Sequence, residues 1–218
     1  TSDLNLLQVG AGIEPFLDRE TWHASINTNI SSLYLGGAEY ETVVSTGTRI
    51  VKTSEAFTAG FRYSFFYHEP SSDFSYLEGT QHEVRIDGEK HWSPWMLRSH
   101  VVFEYNDRAE LIESGESGVY TRFSPSRQQI GMDIQWSGAA RHVLTMSFDW
   151  RGSLYDEENG IDPQRIEKRS RTRTQWRYRS TRHLAFVAQW EYLDNDVTLE
   201  GYSYTRNQIR VGCEFGNI

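Results

Sequence analysis

Lys168-Arg169-Ser170-Arg171-Thr172-Arg173-Thr174-Gln175-Trp176-Arg177-Tyr178-Arg179-Ser180 decides how this chain folds. Arg169, Arg171, Arg173, Arg177 and Arg179 occupy alternate positions, and Gln175 completes the row. Ser170, Thr172, Thr174, Trp176 and Tyr178 lie between them. Side chains of a β-strand point alternately to opposite faces. An extended backbone therefore gives one face of guanidinium groups and one uncharged face ending in two aromatic rings. A helix would scatter the same charges around its circumference.

The same period of two runs through most of the chain. Trp22, Ala24, Ile26, Thr28 and Ile30 alternate with His23, Ser25, Asn27, Asn29 and Ser31. Phe57, Ala59, Phe61, Tyr63, Phe65 and Tyr67 alternate with Thr58, Gly60, Arg62, Ser64, Phe66 and His68. Similar runs begin at Leu97, Ile130, Leu144, Leu184 and Ile209. Turn signals separate them, among them Leu17-Asp18-Arg19-Glu20, Gly36-Gly37, Lys52-Thr53-Ser54 and Ser137-Gly138-Ala139. This predicts strands over 4–14, 21–35, 40–51, 56–68, 80–88, 95–106, 117–124, 128–137, 141–155, 168–180, 183–194 and 203–215. The alternative over Asn106–Gly118 extends the preceding strand into a long hairpin. The fold class is all-β, antiparallel, in a single domain over 1–218, and several strands exceed the roughly five or six residues usual in soluble sheets.

Composition narrows the classes. Hydrophobic residues make up 38% of the 218 and aromatics 14%, so any apolar layer is thin and rich in rings. No stretch is long and apolar enough for a transmembrane helix, and Thr1 opens no secretory leader. The single Cys213 excludes an intramolecular disulfide and a cysteine-rich zinc site. A net charge of −8 argues against nucleic acid as a partner. No cofactor or metal is expected.

Alternation alone fits a soluble sandwich or a membrane barrel. Three features point to the barrel. The polar face stays charged on consecutive long strands while the other tolerates Ala, Thr and Ser. Aromatic residues such as Trp22, Tyr34, Trp150, Trp190 and Tyr202 gather toward strand ends like an interfacial girdle. The predicted strand count is even, which suits closure.

The pattern as a whole resembles Gram-negative outer-membrane, porin-like β-barrels. Gln189-Trp190-Glu191-Tyr192 and the later Gly201-Tyr202-Ser203-Tyr204-Thr205-Arg206-Asn207-Gln208-Ile209-Arg210-Val211-Gly212 resemble the last hairpin of such barrels, including those associated with exopolysaccharide export. Arg210, Gly212 and Phe215 resemble a C-terminal assembly signal, although Gly216-Asn217-Ile218 departs from the usual aromatic ending. The resemblance implies an up-and-down transmembrane barrel of about twelve strands. It also implies the outer membrane as location, and lipid bilayer and lipopolysaccharide as surroundings.

On that reading the charged face lines a lumen. The candidate solute-binding residues are Arg62, Arg98, Asp149, Arg169, Arg171, Arg173, Arg177, Arg179, Glu191 and Arg210. Arg85, Glu83, Asp87, Glu104, Asp133, Arg151 and Glu214 fall on the same face. Bare guanidiniums in a row need carboxylates, water or anionic ligands. The row is then either a salt-bridge network filling a narrow barrel that serves as an anchor, or a rail for anionic solutes in a porin-like channel. On the anchor reading, the acidic loops Glu69–Gly79 and Asp156–Gln164 contact a periplasmic or surface protein.

Catalysis is the contrasting class. Seven histidines are present, none in a nucleophile motif. His68-Glu69 is the nearest approach to a hydrolase site and reads as an ordinary loop histidine. Asp156-Glu157-Glu158-Asn159-Gly160 has the composition of a calcium loop without its ligand spacing. The expectation is a protein that is not an enzyme.

Overall fold

The computed structural model describes residues 6–108, 112–114, 119–121, 125–155, 165–198 and 202–216. Its strands are β1 (Leu6–Ile13), β2 (Phe16–Arg19), β3 (Trp22–Leu35), β4 (Ala38–Thr53), β5 (Phe57–Pro70), β6 (Gly79–Trp92) and β7 (Trp95–Arg108). They continue as β8 (Ile112–Ser114), β9 (Val119–Thr121), β10 (Ser126–Ala139), β11 (His142–Tyr155), β12 (Arg165–Arg179), β13 (Leu184–Val197) and β14 (Tyr204–Phe215). A 3-10 helix, Ser72–Leu77, sits between β5 and β6. No helix among the described residues is long and apolar enough to cross a membrane.

Alternation becomes a ladder of antiparallel hairpins. Gly36 and Gly37 turn β3 into β4 with φ of 62° and 89°, a backbone that side chains with a Cβ resist. Leu17-Asp18-Arg19 is strand rather than turn, and the reversal falls at Glu20-Thr21. β10 likewise runs through Ser137-Gly138-Ala139 and turns at Ala140-Arg141.

The sheet is open, which corrects the barrel expectation. Its path runs β1-β3-β4-β5-β6-β7-β10-β11-β12-β13-β14, with β2 beside β3, and β1 does not pair with β14. β1 and β2 share the same edge of β3, interrupted at Glu14-Pro15. Proline cannot donate to a ladder and is tolerated at such an edge. Of the predicted strand 117–124, the described residues Val119–Thr121 form β9, which is not a member of this sheet. Among the described residues β8 and β9 pair only with each other, and β7 pairs with β10 in the main sheet. The path thus has an odd number of antiparallel strands, and its first and last run the same way. An all-antiparallel wall cannot close on that count. Both outer strands are exposed almost throughout, in keeping with free edges.

The faces differ in an unexpected direction. The charged face is the more enclosed: Ser25, Ser31, Glu41, His68, Asn106, Ser153 and Glu191 are buried there, beside Ala185, Leu193 and Val197. Long Arg and Glu stems cover one another and the small residues between them. On the other face, Ile50, Phe61, Ile86, Val101 and Ile130 lie side by side across four adjacent pairings, and all but the half-buried Val101 are exposed.

Candidate functional site

The arginines on β12 are mostly neutralised by their neighbours. Arg171 Nη2 donates to Asp149 on β11 at 2.8 Å, and Arg173 Nη2 to Glu191 on β13 at 2.9 Å. Arg177 Nη2 lies 2.8 Å from Glu214 on β14. Glu191 also accepts from Arg206 at 2.7 Å. The Arg173 guanidinium, with Arg206 adding to it, holds the Glu191 carboxyl below its usual range against the opposing effect of burial. This half of the face is a salt-bridge network. Arg179 is exposed at the end of its strand, and Arg210 donates to Gln208 at 3.0 Å on the free edge strand β14.

The other half is different. Arg49 on β4 stands directly opposite Arg62 on β5, and Arg62 directly opposite Arg85 on β6. Like charges in register repel. Arg85 is held by Asp87 at 2.8 Å, and that carboxylate raises the guanidinium's pKa further. Arg49 and Arg62 are exposed and have no ion pair or side-chain hydrogen bond among the described residues. The three arginines line a cavity of about 590 Å³ with Arg98, His100, Asp87, Glu89 and Asp133. Arg98 donates to Glu89, whose carboxyl is pulled below its usual range by Arg98 first and His91 second. Four arginines thus meet three carboxylates.

A close approach sets the position of His100. It faces Gly131 across the β7–β10 pair, and a Cβ on Gly131 would lie 2.1 Å from His100 Cε1. The ring lies over the bare glycine, and its Nε2 is 3.2 Å from the Gln129 amide nitrogen.

Arg62 and Arg98 from the expected set reach this cavity. Arg169 lies instead against Arg151, its direct neighbour on β11, by a smaller cavity of about 140 Å³ with Gln129, Asp149 and Arg171. Arg49 is absent from the expected set, and Arg85 and Arg151 belong to the charged face in the sequence without a binding role. The signal is the hairpin: Arg49 and Arg62 are symmetric about the connection Ser54–Phe57, inside the last pair Thr53–Thr58. His68 is no loop residue. It lies buried in β5, with Nδ1 2.7 Å from Glu41 Oε1. The loop 156–164, including the calcium-like run, lies outside the described residues.

No protein-family model matches the chain, and no curated protein matches it. Among solved structures, it is similar to a chain from a study described as "Unveiling the Mechanism Behind the in-meso Crystallization of Membrane Proteins". That similarity has 11% identity and a TM-score of 0.45, over 94% of this chain and 81% of the other. It is too slight to carry fold or function.

The outer-membrane resemblance and what it implied are therefore corrected. An open sheet encloses no lumen, so the porin-like channel and the plugged-barrel anchor both lose their basis. Unpaired edge N–H and C=O groups have no partner in hydrocarbon. The two free edges thus overturn the placement in an outer membrane, the bilayer and lipopolysaccharide as partners, and the partner protein of an anchored barrel.

Proposed function

We propose that this protein binds anionic ligands on the charged face of its open sheet, at the row Arg49–Arg62–Arg85, and that its role is binding rather than transport or catalysis. The observation that carries this is the register. Three arginines from three adjacent strands stand side by side, two of them without a carboxylate, over a cavity of about 590 Å³. An anion bridging Arg49 and Arg62 relieves their repulsion and gains charge-assisted, bidentate hydrogen bonds. Structural salt bridges account for Arg171, Arg173 and Arg177 on β12, which find Asp149, Glu191 and Glu214, but leave Arg49 and Arg62 unexplained.

Titration calorimetry at low salt with citrate and pyrophosphate tests the reading. Binding is expected, weakening by about tenfold or more in R49Q/R62Q. R179Q, whose side chain is exposed outside the cavity, should bind as the unmodified protein does. Failure of both anions to bind at millimolar concentration would overturn it.

A further inference from the structure

The anion row does not stop at β6. Arg85 is opposite Val102 on β7, Val102 opposite Gln129 on β10, Gln129 opposite Arg151 on β11, and Arg151 opposite Arg169 on β12. Five arginines therefore share one line perpendicular to the strands. From Arg49 to Arg169 it crosses six strand spacings, about 29 Å at the usual 4.8 Å each. Arg151 and Arg169, like Arg49 and Arg62, have no ion pair among the described residues, and Arg151 Nε is buried without a hydrogen-bond partner.

We infer that this line is a binding track for a linear acidic oligosaccharide laid across the strands; the inference rests on the anion-binding reading above. The guanidiniums stand about 5 Å apart within two groups, Arg49–Arg62–Arg85 and Arg151–Arg169, with Val102 and Gln129 filling the three spacings between, and this suits an extended polymer that carries charge in both end regions. The line also runs among carboxylates, Asp87, Asp133 and Asp149, and polar groups, Gln129 and His100. Carboxylates repel a bare polyanion but accept hydrogen bonds from hydroxyls. A chain of uronic acid units supplies both a carboxylate for the arginines and hydroxyls for the acids. Single-stranded nucleic acid fits less well, because it needs rings for its bases to stack on. The large rings next in sequence to this line, Phe61 and Trp150, alternate with Arg62 and Arg151, which leaves the imidazole of His100 as the ring beside the track.

Two defined uronic acid oligomers, a trimer and a heptamer, distinguish the anion site from the longer track. The trimer is expected to bind at Arg49–Arg62–Arg85. The heptamer reaches Arg151 and Arg169 and should bind about tenfold tighter or better, as a second linked contact does. R151Q/R169Q should remove that gain without altering trimer affinity, while R49Q/R62Q weakens both. For the unmodified protein, the salt dependence of heptamer binding should be steeper than that of the trimer, a readout that needs no variant to fold. Trimer binding with no length gain and no steeper salt slope would overturn the track and leave the anion site standing. If neither oligomer binds, and citrate and pyrophosphate also fail, the anion reading falls with it.

Discussion

Arg62 stands directly across the β4–β5 ladder from Arg49, two exposed guanidiniums in register with no carboxylate between them. Directly opposed like charges destabilise a sheet by roughly 0.2–1 kcal/mol. R62Q should therefore raise the thermal midpoint at low ionic strength while it weakens anion binding. The gain should shrink as salt screens the pair. Thermal unfolding of R62Q and the unmodified protein at two salt concentrations checks this. A fall in the midpoint at low salt would contradict the stated repulsion.

Glu191 is 4% exposed and accepts from both Arg173 and Arg206. E191Q leaves two guanidiniums facing a neutral amide. Both arginines keep a third or more of their surface exposed, so solvent softens the loss. The expected cost is about 1–2 kcal/mol, below that of breaking a fully buried pair. Denaturant unfolding measures it.

The same carboxylate sets a pH dependence. Its pKa is lowered in the folded protein, chiefly by Arg173. The unfolded chain takes up the proton first, near pH 4.3. Above that pH the ion pair contributes its full stabilisation, and the contribution is lost as pH falls through the lower folded pKa. Glu89, lowered by Arg98, adds in the same sense. The stability difference between E191Q and the unmodified protein should be constant near neutrality and shrink below about pH 4. A difference that persisted undiminished at pH 2.5 would refute the assignment.

Gly131 gives the face a steric test. G131A places a methyl group where the His100 ring lies, so the ring must swing off Gln129. Overpacking of this kind costs about 1–3 kcal/mol. H100A removes the obstacle, so the double variant G131A/H100A should recover most of the loss. The non-additivity is read from a double-mutant cycle by denaturant unfolding.

Much of the architecture was legible because a period of two shows directly in the residues. The strands from Trp22 to Tyr67 and from Ile130 to Phe215, their antiparallel order and the Gly36-Gly37 reversal all lay in the pattern. Closure did not. It depended on whether 117–124 joins the main sheet, and the chain between β7 and β10 has too little alternation to say. The candidate site was half legible for a related reason. The Arg169–Arg179 row is visible along one strand, whereas the Arg49–Arg62–Arg85 row runs between strands and exists only once each register is known.

From the amino-acid order alone come the strands, the two chemically distinct faces and the wealth of arginine on one of them. Each follows from bonded neighbours and the pleat of the backbone. The tertiary structure decided that the sheet ends at free edges, that Arg171, Arg173 and Arg177 are neutralised by Asp149, Glu191 and Glu214, and that five arginines align across the strands. Those outcomes depend on register, which loops and turns set. A slip of one residue in one hairpin would carry that strand's charges to the other face.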